Sequence, residues 1–577
     1  MVEINSNSNS SQSQRPLFTL TFHHTVSNRT ESVDVYYSKS LEFGRTHIAE
    51  LLGLEEPTIS SRHVEFHPIL FDKSDQQIPP LLYAKCRSLN EFVIEKMNIV
   101  PSMTETLKIK VNRHSPPHLL DDGDVLWLSP TVPVQVKVCQ AAFSRLDPRQ
   151  VEEIKSLQCG YTITQRQIGV GSHGAVLVAL KLPPGRQLAC KVIDLHKYSI
   201  IARDEALKEL GQVFKSHHFA KAQHATNLND ELYTKKLKTE WKRLLLKKLE
   251  QCRDEFRIHK DLSHHVGGFE HVIVISTLTR ASFIFQELIT GGDLFSYLES
   301  RGKTGLGDAE TTVIVRQILE AVKYLHNQNV IHRDIKPENI LMTTWKKGCR
   351  VVLTDFGMAK RLDEPTTSIH QKIGHRMHTN VGTWDYVAPE VDPTYQRHEG
   401  AGYDSSIDLW SVGAVTAILL TMEHIATSLA PLDAPNIPPK GQIDDSPTRN
   451  YDFSVLDDQQ HHIWGRVPSR PKRFIKDLLV LEADQRLTAA EALQHSWFTK
   501  SMYKQELDDR YGEAIADWRS GPKVNLQYVD THDLGLGPGP LEDESVLMKY
   551  TKRKRSVRFS GTRAAYSESA VGKAKLR

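Results

Sequence analysis

The stretch VIHRDIKPENILM, Val330 to Met342, sets His332, Arg333, Asp334, Lys336 and Asn339 at fixed offsets between two apolar runs. Polar groups beside a core must be hydrogen-bonded or open onto a site. This segment therefore demands apolar elements on both sides and one shared polar focus. Two further signatures follow in order: Asp355-Phe356-Gly357 begins sixteen residues after Asn339, and Ala388-Pro389-Glu390 closes VGTWDYVAPE. Upstream lie Gly169, Gly171 and Gly174 in IGVGSHGAVLVA, and Lys191 in LACKVIDL.

A lone G-x-G-x-x-G is weak evidence, because a dinucleotide site or a plain turn uses the same glycines. Here it stands between two β-like runs, YTITQRQI and AVLVALKL, and no G-K-[ST] follows. That disfavours both the dinucleotide fingerprint and the Walker loop. Lys191, flanked by apolar residues, either meets an anionic partner or snorkels outward.

The chain has 577 residues, too many for one ordinary domain. Residues 1–15 are rich in Ser, Asn and Gln and read as a disordered tail. Within 16–140, seven β-like runs with turn signals (LFTLTF, SVDVYY, HVEFHPILF, NEFVIEKMNIV, LKIKV, DVLWLS, VQVKV) predict an all-β sandwich. A polar linker, 141–160, leads to 161–498, where strands precede helical patterns such as TVIVRQILEAVKYLH and DLWSVGAVTAILLT. Residues 499–577 form an extension that ends in a basic tail. The expected fold class is multidomain: a β-sandwich, then a bilobal α+β unit, with flexible tails. A net charge of +3 argues against broad nucleic-acid affinity. Six cysteines (86, 139, 159, 190, 252, 349) lack the paired spacing of a disulfide scaffold or zinc site. No apolar run approaches the roughly 20 residues of a membrane span, and the polar N-terminus has no signal core. An intracellular soluble protein without membrane or direct nucleic-acid contacts is expected.

Over 161–498 the ordered motifs resemble the eukaryotic protein kinase family. The resemblance implies ATP and Mg²⁺ as cofactors and protein serine or threonine as substrate, in a reaction that depends on positioning and charge neutralisation. It implies that Ile168, Gly169, Val170, Gly171, Ser172, His173, Gly174, Ala175 and Val176 cover the nucleotide. Lys191 would pair with its α- and β-phosphates, and Glu287, Leu288 and Asp293 would lie along it at and past the hinge. Asp334 would accept the hydroxyl proton, Lys336 would stabilise the transferred group, and Asn339 and Asp355 would ligate Mg²⁺. Glu255 in DEFRIHKDLSHH resembles the αC carboxylate that pairs with the lysine, with Asp254 the alternative on another helix face. Asp408 resembles the αF aspartate that braces the catalytic loop, and Arg486 the partner of Glu390.

The long insertion between Lys191 and Glu255 reads as an extended αC with a solvated basic face, or as a docking surface. His217, His218 and His224 within it lack a usable ligand set. After αF, TMEHIATSLAPLDAPNIPPKGQIDDSPTRNYDFS replaces the family's usual Pro-Pro-Phe turn, which leaves the next helix open. Between the second and third signatures lie Thr366, Thr367, Ser368, Thr379 and Thr383. A phosphate on Thr379 would pair with Arg333, and Thr383 would shape the substrate-hydroxyl site. Glu338 and Asp293 resemble acidic positions of basophilic members, which implies arginine three residues before the target. Arg553-Lys554-Arg555-Ser556 offers such a site in the chain itself.

In the N-terminal unit, LEFGRTH and ISSRHVEF set Gly44-Arg45 some fifteen residues before Ser60-x-x-His63, and LLDDGDVLWL follows. This resembles the forkhead-associated (FHA) domain, a sandwich that reads phosphothreonine from its loops. Arg45 and Ser60 would hold the phosphate and His63 would be architectural. Asn90 stands at the family's Asn-Gly turn, with Glu91 in place of the glycine. A sandwich that binds nothing is the alternative. FHA followed by kinase resembles the checkpoint effector kinases of the DNA-damage and meiotic response, in an arrangement that looks fungal. That implies phosphothreonine proteins as partners, transient dimers, and an upstream SQ-directed kinase acting at Ser11-Gln12 and Ser13-Gln14. Lys552 to Arg555 reads as a nuclear import signal or a solvated basic tail. An inactive kinase-fold scaffold and an FHA kinase of another pathway stay as alternatives.

Overall fold

A computed structural model describes residues 15–36, 40–70, 79–96, 106–139, 161–171, 174–181, 186–217, 226–262, 272–276, 281–302, 304–344, 349–362, 383–391, 405–423, 425, 453–500, 504–516 and 525–529. The Ser-Gln dipeptides, Ser172, His173, Thr366 to Thr379 and the basic tail lie outside them.

The N-terminal unit is a two-sheet sandwich. One sheet has the order β2 (Arg29–Val35), β1 (Phe18–His24), β10 (Val132–Val138), β9 (Val125–Ser129), β6 (Phe92–Lys96), β7 (Leu107–Val111). The other runs β3 (Leu41–Phe43), β4 (Val64–Ile69), β5 (Leu81–Cys86), β8 (His118–Leu120). Alternation makes the sandwich. Strand β10 buries Val132, Val134, Val136 and Val138 and exposes Gln135 and Lys137, as a pleat with one wet face requires. Phe22, Phe43 and Phe66 meet in the core at centroid distances of 4.7 and 6.0 Å. Helix α1 (Arg45–Leu52) caps one end.

Strand β5 breaks the alternation. Leu82, Ala84 and Cys86 enter the sandwich core, yet Leu81 and Tyr83 on the opposite face are also buried. A strand covered on both faces has a second packing partner, and here that partner is the kinase-like unit.

The smaller lobe of that unit is a sheet with the order β11 (Tyr161–Gly171), β12 (Gly174–Lys181), β13 (Arg186–Asp194), β15 (Ala281–Glu287), β14 (Val272–Ser276), β20 (Asn525–Val529). The expected extended αC is present as a 36-residue helix that runs through Glu255, and it forms one arm of a helical hairpin. Helix α2 (Leu195–His217) packs against α3 (Thr226–Asp261), burying Ala202, Ala206 and Leu244. Trp241 Nε1 donates to the Ser199 carbonyl at 3.0 Å, and Lys248 meets Glu205 at 2.8 Å.

The larger lobe contains α4 (Leu294–Ser300), α5 (Asp308–Asn327), α6 (Ser406–Thr421), α7 (Ser469–Leu478), α8 (Ala489–Ala492) and α9 (Ser496–Thr499). Helix α6 is mostly apolar and buried on every face, with Asp408 in its first turn. Two short ladders present the polar loop: β16 (Val330–Ile331) with β19 (Lys360–Arg361), and β17 (Ile340–Met342) with β18 (Val351–Leu353). The C-terminal extension is partly built into both lobes. Its helix α10 (Lys504–Ile515) lies on α5, where Arg316 pairs with Asp508 and stacks on Tyr511 at 4.5 Å. Strand β20 adds in parallel to β14 at the sheet edge. Among the described residues no helix is long and apolar enough to cross a membrane.

Candidate active site and phosphate-reading loops

The polar loop predicted from HRDIKPEN sits between β16 and β17, and Asp408 organises it from beneath. The fully buried Asp408 carboxylate accepts the backbone N–H groups of His332 (2.9 Å) and Arg333 (2.8 Å), and meets His326 Nε2 at 2.9 Å. Burial opposes its charge, but the His326 contact and the other donors outweigh burial and lower its pKa. Arg333 has φ 69°, a left-handed conformation worth about 1–3 kcal/mol of strain in a non-glycine residue. The two N–H bonds to Asp408 offset that strain. His332 donates from Nε2 to the Thr354 carbonyl at 3.0 Å and packs on Phe356. Burial lowers its pKa and keeps the ring neutral.

Asn339 donates its amide N–H groups to the Asp334 carbonyl (2.7 Å) and carboxylate (2.8 Å), and Lys336 Nζ lies 3.1 Å from the same carboxylate. The Thr354 N–H bonds to the Asn339 carbonyl at 2.9 Å, which ties this loop to Asp355. Asp355 has φ 60° and caps the turn Phe356–Met358.

Across the cleft, Lys191 Nζ reaches Glu255 at 2.7 Å and Asp355 at 2.9 Å. Burial works against the ammonium, but Asp355 and Glu255 together raise its pKa above the ordinary value. Of the two acidic candidates on α3, Glu255 is buried against the lysine, while Asp254 bonds Arg257 at 3.3 Å. The glycine segment is the hairpin of β11 and β12, with Gly169 opposite Val176 and Gly171 opposite Gly174. A Cβ at Gly174 would sit 1.8 Å from the Val192 carbonyl, so only glycine fits. Val170 and Ala175 pair in the same hairpin.

At the hinge, Glu287 commits its carboxylate to Arg350 at 2.6 Å. Leu288 is buried. Asp293 caps α4, accepting from Ser296 N–H at 2.7 Å and Ser296 Oγ at 3.0 Å. Burial first, and the nearby Glu338 charge, push its pKa up to about 6. Glu338 itself is exposed in the turn Pro337–Asn339. Thr383 opens the turn Thr383–Tyr386, whose Tyr386 carbonyl accepts from Ser411 at 2.8 Å. Glu390 and Arg486 form a two-pronged pair at 2.8 and 3.0 Å.

In the sandwich, Arg45, Ser60 and Asn90 converge on one loop, residues 57–60. Arg45 Nε and Nη2 donate to the Ile59 and Pro57 carbonyls at 2.9 and 3.0 Å, and Asn90 Nδ2 donates to Thr58 at 2.8 Å. A Cβ at Gly44 would lie 1.7 Å from the Ser61 carbonyl, which explains the glycine before Arg45. His63 is buried and accepts the Ser60 N–H at 3.3 Å. Sequence reasoning missed Ser88, whose Oγ bonds Ser60 Oγ at 2.6 Å and accepts the Asn90 N–H at 2.8 Å. Its place two residues before Asn90 was the available signal. A groove lined by Leu89, Asn90, Glu91, Asn112, Arg113 and His114 adjoins these loops.

The Protein kinase domain family matches residues 218–498. The chain is 28% identical over 520 residues to the meiosis-specific serine/threonine-protein kinase MEK1 of Saccharomyces cerevisiae, covering 86% of this chain and 88% of that one. It is 27% identical over 456 residues to the meiosis-specific kinase mek1 of Schizosaccharomyces pombe, covering 77% and 78%. Myosin light chain kinase A of Dictyostelium discoideum is 32% identical over 226 residues, 39% of this chain and 66% of that protein. Residues 218–498 carry a protein kinase domain, and the chain is a serine/threonine protein kinase that uses ATP and Mg²⁺.

Proposed function

We propose that Asp334 orients the substrate hydroxyl and takes its proton, with Lys336 stabilising the transferred group. Lys191, held by Glu255, receives the α- and β-phosphates. The observation that carries this reading is the meeting of Asp334, Lys336, Asn339 and Asp355 on one side of the cleft with the Lys191–Glu255 pair on the other, joined by the Lys191–Asp355 contact. Asp355 and the Asn339 amide oxygen fit Mg²⁺, a hard cation that prefers oxygen donors. Bound there, the ion neutralises phosphate charge. Glu338 and Asp293 select an arginine in the substrate, and a phosphate on Thr379 orders the segment before Thr383.

The sandwich recruits phosphothreonine-bearing proteins through Arg45, Ser60 and Asn90, whose convergence on one loop supports a phosphate site. The two meiotic relatives support a role in meiotic checkpoint signalling, with the protein in the nucleus and under an upstream SQ-directed kinase. The test compares wild-type and Asp334→Asn protein in ATP-dependent phosphorylation of an arginine-containing peptide. Loss of at least about a thousandfold in kcat with the fold intact is expected for the residue that positions the nucleophile. Activity within tenfold of wild type would overturn the assignment.

A further inference from the structure

The outer face of the sandwich's smaller sheet is docked on the kinase hinge. Ile69, Leu81, Tyr83 and Leu119 form one apolar cluster with Val178 and Leu288, and Ile168 and Ala189 pack against it. The strand registers set His67 beside Tyr83, and Tyr83 beside Leu119, so the docking face is a continuous row across three strands. Polar groups close the seam. The Gln187 side chain accepts the Leu119 N–H at 2.7 Å and donates to the Leu119 carbonyl at 2.9 Å, as a neighbouring strand would. Arg166 donates to the Pro80 carbonyl at 2.6 Å. His67 donates from Nε2 to the Thr290 carbonyl at 3.2 Å, with its ring stacked on Tyr83. Burial pushes the His67 pKa down to about 4, so it stays a neutral donor at physiological pH. A seam closed by such directed hydrogen bonds is a specific interface rather than a grazing contact.

We infer that the sandwich holds the nucleotide hinge in its binding geometry, with His67, Tyr83 and Gln187 as positioning residues for ATP. The contacts fall on both sides of a pivot: Ile168, Val178, Gln187 and Ala189 belong to the roof sheet, whereas Leu288 and Thr290 belong to the hinge. Rotation of the roof against the hinge breaks one set or the other. The docked arrangement also keeps Lys191 paired with Glu255 and Asp355, so docking accompanies an assembled cleft rather than a dismantled one.

This inference rests on 287–290 being the segment that carries the adenine. The test uses the full-length protein. ATP affinity is read with a fluorescent nucleotide, alongside KM for ATP, KM for peptide, and phosphothreonine-peptide binding. Gln187→Leu, which loses two hydrogen bonds, and His67→Ala, which loses one, should each weaken nucleotide binding about three- to tenfold or more. KM for peptide and phosphopeptide affinity should stay within twofold, and His67→Gln, which keeps an N–H donor, should restore most of the loss. Unchanged or tighter nucleotide binding in both variants overturns the inference. A wild-type chain that binds no nucleotide overturns the hinge reading beneath it.

Discussion

Arg486→Ala should unfasten the helical lobe, and its cost can be worked from the contacts. The Arg486 side chain has no exposed surface. It bonds Glu390 at 2.8 and 3.0 Å, the Ser406 carbonyl at 2.9 Å and the Val480 carbonyl at 3.0 Å. It also lies 5.2 Å above the Trp410 ring. Truncation strands a carboxylate that is only 12% exposed and removes a donor from two carbonyls. Breaking one side of such a pair costs about 3–5 kcal/mol. At about 2–4 °C per kcal/mol for a domain of this size, Tm should fall by roughly 6–20 °C. Thermal unfolding of the full-length protein, followed through the transition that ATP and Mg²⁺ raise, isolates the kinase unit. The Glu390→Gln/Arg486→Met double variant removes both charges and should recover at least half of the loss. A Tm drop below about 2 °C for Arg486→Ala, or a double variant as unstable as the single, would refute the reasoning.

Other outcomes follow from the same geometry. Arg45→Ala should weaken phosphothreonine-peptide binding about tenfold or more, the scale of a charge-assisted contact, and leave turnover of a short peptide unchanged; anisotropy titration with equal affinities would exclude Arg45 as a phosphate ligand. Asp293, with its pKa raised to about 6, is ionised above that pH and protonated below it, so selection for substrate arginine should fade as pH drops through 6. Glu338→Gln removes a charge that raises the Asp293 pKa and should move that fade to lower pH, which a peptide-library scan at several pH values can check. Lys191→Met should abolish transfer and also destabilise the protein by about 3–5 kcal/mol, because Glu255 is then buried without its cation. Denaturant unfolding that matches wild type would contradict this. Trp241→Ala should lower kcat by loosening the α2–α3 hairpin that carries Glu255, with circular dichroism unchanged.

The polar cluster at the cleft was legible because most of its members sit in short motifs of fixed spacing. Asp334, Lys336, Asn339 and Asp355 are positioned by local turns, and local turns leave marks in sequence. The helix period put Glu255 and Asp254 on different faces, and the resemblance of DEFRIHKDLSHH to the αC segment chose Glu255. Longer-range partners were harder to see. Helix α2, the other arm of the hairpin, went unread because its seam against α3 uses alanines, Ala202 and Ala206, which carry little apolar signal. Ser88 was missed because it acts through Ser60 rather than through a motif of its own. The docking face could have been found: LLYAKC runs apolar where a half-exposed strand should alternate, and that excess marks a second buried face. Its partner could not, because Gln187 and Arg166 are ordinary polar strand residues until Leu119 and Pro80 are brought to them.

The strand borrowed from the C-terminal extension bears on any attempt to make a shortened kinase. The family match ends at residue 498, a natural place to cut, yet such a cut removes β20 and bares the backbone edge of β14. That edge reads VIVIS, uncharged and dominated by β-branched residues. An uncovered edge of this kind is a template for pairing with another molecule. Truncation at the family boundary should therefore yield a protein that precipitates or forms intermolecular sheet, and carrying the cut past Val529 should restore solubility.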